Sequence, residues 1–175
     1  MNEKLPSKEE ALWLLESKCS VKVVNHCKAV TEVALETAKI LEGKGLKVDS
    51  RLVEIGALLH DIGRSKTHTV HHVVAGAEIA RTAGLPESVV SVIERHVGGG
   101  ITPSEAHALG WSEGIYAPVS LEEKIVAYAD KLIEKGQQVP IDVTIEKLCR
   151  EHLCEAAERV RRLHEEIAGL TGDCP

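Results

Sequence analysis

The sequence predicts an all-α, single-domain bundle of about seven to eight helices that spans residues 1–175. Three observations support this fold class. Apolar residues recur at spacings of three and four, residues typical of helix ends divide the chain at intervals, and no stretch alternates for long enough to form a strand. The core must be built from Leu, Val, Ile and Ala, because the chain has no Phe and only 2% aromatic residues.

The first three helices are predicted from their N-terminal caps and apolar periodicity. Ser7 and Glu10 match a capping box before ALWLLESK. The segment from about 21 to 42 is amphipathic and ends at two closely spaced glycines. Asp49 can cap a third helix, SRLVEIGALLHD, which we expect to end near Gly63.

Glycine and proline define the middle helices. A fourth helix over about 70–83 ends at Gly84, and Pro86 suits the first turn of a fifth, PESVVSVIERH. That helix runs into the glycine triplet 98–100, and a short sixth helix begins after Thr102. The spacing therefore predicts short helices joined by tight turns.

The last two helices are predicted from a capping box and from an amphipathic pattern with dense charge. Ser120 and Glu123 match a capping box for a seventh helix, LEEKIVAYADKLIEK. One long amphipathic helix is predicted over about 142–170. Because no internal repeat or low-complexity linker separates these elements, we expect a single domain.

Composition excludes several classes of function. The formal net charge of −6 disfavours a basic nucleic-acid-binding face, and no apolar run reaches the length of a membrane span. The five cysteines, which include Cys174, form no CxxC pair, and this pattern is typical of reduced thiols in a cytosol. We therefore expect a soluble cytoplasmic protein with neither nucleic acid nor membrane among its partners.

Four predicted helices each carry one polar, ligand-type side chain on an apolar stripe. These are His26, His60, His96 and Asp130. A single histidine there is usually a core residue bonded to a carbonyl. Convergence of Asp61 and Asp130 would need a stronger explanation than a lone histidine does. Buried carboxylates repel one another and lose their hydration, and positive charge between them is needed to offset both costs. Since Lys and Arg are scarce on these stripes, a divalent metal fits better. Imidazole and carboxylate ligands without thiolate suit Fe, Mn, Co, Ni, Zn or Mg.

The order of these residues resembles the HD superfamily of metal-dependent phosphohydrolases, in its HDIG-type form. The pattern is an early helical histidine at His26, HDIG at 60–63, and VAYADKL around Asp130. The resemblance covers about 21–135, which we take as the HD core. It implies an HD-type helical bundle around a metal site.

Two further histidines extend the resemblance to HD nucleotide hydrolases with two metals. His72, in the context HVVAG, and His96 match the additional positions, with His71 and His68 as rivals for the role of His72. The resemblance implies two divalent metal ions. One would be held by His26, His60, Asp61 and Asp130, and the second by His72 and His96 with Asp61 bridging.

The implied activity is hydrolysis of a nucleotide or another small phosphate ester by metal-activated hydroxide. The resemblance assigns catalytic roles to Asp61, Arg64 and Lys66. Substrate binding is expected at Arg64, Gly98 and Gly99. The competing interpretations are that the basic pair only neutralises a helix C-terminus and that the glycines only form a flexible loop.

Two other functions fit the same motifs. An HD-type di-iron oxygenase would use the same six ligands, and a non-catalytic nucleotide or metal sensor would need only binding. Basic groups near the site, Arg64, Lys66 and Arg95, favour phosphate chemistry. Trp111 and Tyr116 could stack on a base or cover the edge of the core. We expect a small phosphorylated partner and include a homodimer among the expected states.

Overall fold

The computed structural model describes residues 4–172, so Cys174 lies outside the described part of the chain. The described residues form helices almost throughout, which confirms the all-α prediction. The helices are α1 (Lys8–Lys18), α2 (Val21–Gly43), α3 (Ser50–Leu59), α4 (His72–Thr82), α5 (Glu87–Arg95), α6 (Pro103–Ala108), α7 (Leu121–Lys131), α8 (Ile141–Arg150) and α9 (Cys154–Thr171). Two 3₁₀ helices, Ile62–Ser65 and Val97–Gly99, and a small antiparallel hairpin, Ile133–Glu134 with Gln137–Gln138, complete the chain.

The predicted caps begin the helices where expected. Ser7 and Ser120 each accept a hydrogen bond from the backbone N–H three residues later, and Glu10 and Glu123 return the bond to the cap N–H. Asp49 accepts hydrogen bonds from the first N–H groups of α3. These contacts fix the starts of α1, α3 and α7 because they satisfy N–H groups that a helix leaves unpaired.

The core of the described residues has two large apolar clusters, both of which include α3, and a smaller one between α8 and α9. One cluster joins α2 to α3, α7 and α9, with Leu41 and Ile125 fully buried. The other joins α1 and α3 to α4 and α5, with Leu15 and Ile93 fully buried. The C-terminal end of α3, with Leu58 and Leu59, packs in the second cluster, and His60 follows it directly.

The end of α3 departs from the sequence-based prediction in a way that shapes the site. The helix ends at Leu59 instead of near Gly63, and a 3₁₀ helix follows. Asp61 leaves the helical conformation, with φ −100° and ψ 13°. In a continuing helix, adjacent side chains point about 100° apart. The break lets His60 and Asp61 reach the same centre.

The prediction of one continuous helix over about 142–170 is wrong. The chain breaks after Arg150, and His152 adopts a left-handed conformation with φ 62°. The break allows α9 to fold back on α8, so that Ile145 of α8 packs in one cluster with Val160 of α9. A straight helix would leave that apolar face without a partner, and its burial offsets the strain at His152.

Among residues 4–172, no helix is both long enough and apolar enough to cross a membrane.

Candidate metal centre

Six side chains that the sequence singled out meet at one point in the bundle. They are His26 from α2, His60 and Asp61 from the end of α3, His72 from the first turn of α4, His96 from the end of α5, and Asp130 from α7. Five helices thus contribute to one centre, and four of the six side chains are buried.

Asp61 lies in the middle of this group, and its two oxygens face different histidines. Oδ1 lies 3.1 Å from His72 Nε2 and 3.6 Å from His96 Nε2. Oδ2 lies 3.7 Å from His26 Nε2 and 3.8 Å from His60 Nε2. A carboxylate can serve two cations at once through its two oxygens, which an imidazole cannot do. The geometry therefore suits a bridging role for Asp61.

Asp130 completes one side of the centre. Its Oδ1 lies 3.0 Å from His26 Nε2 and 3.5 Å from His60 Nε2. The ligand atoms of His26, His60 and Asp130 all lie within 4.8 Å of one another, as do those of His60, Asp61 and His96. His60 belongs to both groups, so the two potential ion positions are adjacent and have one side chain in common.

Three of the histidines are fixed by their own backbone. Nδ1 of His60 lies 2.7 Å from the Ala57 carbonyl oxygen, Nδ1 of His72 lies 2.7 Å from that of Thr69, and Nδ1 of His96 lies 2.8 Å from that of Ile93. A carbonyl can only accept, so each Nδ1 carries a proton, and in the neutral ring each Nε2 then presents a lone pair to the centre.

Two buried polar atoms in the centre have no hydrogen-bond partner among the described residues: His60 Nε2 and Asp61 Oδ1. Such atoms cost free energy unless a ligand satisfies them. Both are lone-pair donors, and a divalent cation accepts from both. The donor set therefore fits a metal ion.

The pKa values in the centre show the same demand for positive charge. Burial acts to raise the pKa of Asp61, yet the adjacent His60, His72 and His96 hold it well below its usual range. Burial also acts to raise the pKa of Asp130, and Lys131 and His26 hold it well below its usual range. Both carboxylates are therefore ionised.

Burial lowers the pKa of His96 to about 4. This imidazole is therefore neutral at physiological pH, which is the form that binds a metal.

Two cationic side chains contact the carboxylates from outside. Arg64 Nε donates to Asp61 Oδ2 at 2.6 Å, and its Nη1 donates to the His68 carbonyl oxygen at 3.3 Å. Lys131 Nζ donates to Asp130 Oδ2 at 2.6 Å. Lys66, by contrast, has an exposed side chain. Sequence reasoning missed Lys131, although it directly follows the late aspartate in ADKL.

The structure separates His72 from its two rivals. The side chains of His71 and His68 are exposed, and His71 Nδ1 accepts a hydrogen bond from Trp111 Nε1 at 2.9 Å. The Trp111 ring lies 4.8 Å from the ring of Tyr116, which is itself buried. Both roles proposed for this pair, stacking on a base and covering an edge of the core, stay predictions.

The remaining predicted groups have structural contacts. A Cβ on Gly99 would lie 2.9 Å from the Arg159 carbonyl carbon, so glycine lets this turn pack on α9. Gly98 shares the left-handed conformation, with φ 59°. Arg95 Nη1 donates to Glu123 Oε1 at 3.0 Å, and this ion pair joins α5 to α7. Arg95 is therefore already engaged.

Comparison with known proteins defines the class. The family model described as HD domain matches residues 23–134. The chain therefore belongs to the HD domain family, and the matched region contains all six residues of the centre.

Relatives in archaea match almost the whole chain. An uncharacterized protein of Methanocaldococcus jannaschii is 47% identical over 166 residues, which cover 93% of this chain and 97% of the relative. A tRNA (cytidine(56)-2'-O)-methyltransferase of Picrophilus torridus is 37% identical over 169 residues, which cover 96% of this chain. The chain spans only 48% of that methyltransferase.

A solved structure shows the same fold. The HD domain of the L. monocytogenes phosphodiesterase PgpH, in complex with cyclic-di-AMP, aligns with a TM-score of 0.57 at 17% identity. The alignment covers 93% of this chain and 96% of the PgpH chain.

Proposed function

We propose that this protein is a metal-dependent phosphohydrolase that uses two divalent ions to cleave a nucleotide or another small phosphate ester. The observation that carries the proposal is the position of Asp61. Its two carboxylate oxygens face separate histidine pairs, and Oδ1 is buried without a hydrogen-bond partner among the described residues.

The residues divide between two ion positions. His26, His60 and Asp130 would hold one ion, His72 and His96 the other, and Asp61 would bridge them. When bound, two divalent ions would supply a hydroxide nucleophile at neutral pH and would stabilise the charge of an in-line displacement. The protein's part is to keep the Nε2 lone pairs aimed at the centre through the bonded Nδ1 atoms.

The substrate would be held where the centre opens to solvent. His26 is the most exposed of the four histidines, at 23%, whereas the other three lie at or below 2%. Arg64 stands beside it, and its guanidinium has donors beyond those used on Asp61 and His68. We assign it to phosphate binding. Gly98 and Gly99 stay as predicted contributors, whereas the exposed Lys66 is expected to contribute little.

The comparisons support a nucleotide as substrate. The PgpH domain carries a cyclic dinucleotide on the same fold, so a phosphodiester or phosphoanhydride of this size suits the architecture. The acidic net charge of −6 favours a small ligand at a local basic edge over a long polyanion.

The direct test is metal analysis of the purified protein, followed by a screen of phosphate esters with Fe, Mn, Co and Ni. Asp61→Asn keeps the shape of the bridge and removes its charge, so we expect loss of both ions and a fall in kcat of about 10³-fold or more. Asp142→Asn is the matched control, because Asp142 is an exposed carboxylate on α8.

Two results would contradict the proposal. One is full activity and metal content in the Asp61→Asn variant. The other is an iron-loaded protein that consumes oxygen with an organic substrate and releases no phosphate from any ester.

A further inference from the structure

Lys131 occupies a position that sequence reasoning did not assign to the site. Its Nζ lies 2.6 Å from Asp130 Oδ2, while Oδ1 of the same carboxylate faces His26 and His60. The lysine side chain is 16% exposed, so it borders the centre and reaches solvent.

Arg64 has the corresponding position on the other carboxylate. Its Nε lies 2.6 Å from Asp61 Oδ2, and its side chain is 29% exposed. Each cation therefore contacts a carboxylate group that also faces the partly exposed His26. The buried pair His72 and His96 faces the other oxygen of Asp61, and among residues 4–172 no other charged side chain forms an ion pair with it.

The ammonium of Lys131 retains hydrogen-bonding capacity. It has three donors, and Asp130 Oδ2 is its one contact among the described residues. Its backbone is held in place, because Thr144 Oγ1 of α8 donates to the Lys131 carbonyl oxygen at 2.7 Å. Two donors on an anchored residue are thus available to a ligand.

The balance of charge at the centre indicates the class of ligand that these donors would bind. The two carboxylates, Asp61 and Asp130, offset the charge of a single divalent ion. A second ion together with Arg64 and Lys131 leaves an excess of positive charge at a partly dehydrated edge. A multiply charged anion relieves that excess, whereas a neutral substrate does not.

We propose that Lys131 binds a phosphate oxygen of the substrate and forms, with Arg64, a two-cation clamp at the open edge of the centre. This inference rests on the proposed function and extends it. It makes the phosphoryl group, not the base or sugar, the part of the substrate held at this edge.

The test is calorimetric titration of inorganic phosphate into Mn²⁺-loaded protein with Lys131→Met, Lys131→Arg and wild type. We expect Lys131→Met to raise the phosphate Kd about tenfold or more and Lys131→Arg to stay within about threefold of wild type. Lys124→Met is the matched control, because Lys124 is on the same helix and pairs with Glu166 at 2.7 Å. It should leave the Kd unchanged.

Calorimetry separates a phosphate contact from a positioning role. If Lys131→Met lowers the Mn²⁺ stoichiometry but leaves the Kd per loaded site unchanged, Lys131 acts only through Asp130 and the proposal is overturned. Failure of Lys131→Met to bind Mn²⁺ at all overturns it as well.

The same titration distinguishes failure of this inference from failure of the proposed function. Lys131-dependent phosphate binding in a protein that hydrolyses no ester contradicts the hydrolase and supports the clamp. Ester hydrolysis by wild type with a phosphate Kd insensitive to Lys131 contradicts the clamp alone.

Discussion

The two sides of the metal centre are built from the same kinds of side chain but differ in access and charge. The enclosed half, His72 and His96 against Asp61 Oδ1, is fully buried, and both rings are held through Nδ1 by carbonyl oxygens. The open half, His26 and Asp130, reaches solvent and has Lys131 at its edge. Nothing in the ligand types alone distinguishes the two halves.

This difference in access and charge predicts different roles for the two halves. A buried site with fixed ligands loses little freedom on binding an ion and releases it slowly. A partly exposed site with adjacent cations can admit an anion and exchange its ion with solvent. We therefore expect substrate to enter over the open half while the enclosed half acts as a fixed anchor.

The largest expected effect comes from removing one ligand from each half. His96→Gln and His26→Gln should each reduce bound metal from about two ions to about one and lower kcat by about 100-fold or more. Removal of metal by a chelator should distinguish the two variants. Wild type should lose metal in two phases, His26→Gln should keep only the slow phase, and His96→Gln only the fast one.

His107→Gln serves as the control for these variants, because His107 is exposed on α6. It should match wild type in metal content and in both phases. A single phase in loaded wild-type protein would show that the two halves do not differ in access.

The sequence predicted those parts of the centre that depend on local patterns, and not those that depend on packing between distant segments. HDIG and the apolar stripes identified His26, His60 and Asp130 because a helix repeats its faces regularly. The turn at Asp61 was not predictable in this way, since it depends on packing of the following 3₁₀ helix against α4. Nor was the break at His152, because a left-handed histidine lacks the usual glycine signal.

Lys131 shows the same limit for the chemistry of the site. Its sequence neighbour Asp130 was identified, but a lysine at the end of a charged helix is typical of exposed surface. The contact of its ammonium with Asp130 becomes visible only in the folded structure, where Thr144 of α8 also holds the Lys131 carbonyl oxygen.

A smaller effect should follow from a change behind the enclosed half. A Cβ on Gly63 would collide with the His72 carbonyl oxygen and lie 2.6 Å from the Gly76 backbone nitrogen. Gly63→Ala should therefore push the 3₁₀ helix away from α4 and separate Asp61 from His72. We expect a loss of about 2–4 kcal/mol in the free energy of unfolding, measured by denaturant titration. We also expect the enclosed half to bind its ion more weakly.

Gly43→Ala is the matched control, since Gly43 ends α2 and a Cβ there meets nothing within 4 Å. It should be neutral or stabilising by up to about 1 kcal/mol. Equal stability of the two alanine variants would contradict the role of Gly63 in close packing.

The smallest effects should separate the two basic residues that follow HDIG. Arg64 contacts Asp61 at 2.6 Å beside the open half, whereas the Lys66 side chain is exposed. Arg64→Ala should raise KM for a phosphate ester by about tenfold or more, because it removes a charged donor from the edge where the anion enters. Lys66→Ala should change KM by less than about threefold, since a solvated charge contributes little at this range. Steady-state kinetics at two ionic strengths checks both values. A larger effect from Lys66 than from Arg64 would mean that the substrate approaches past the end of the 3₁₀ helix and not over His26. This result would contradict the contrast between the open and enclosed halves.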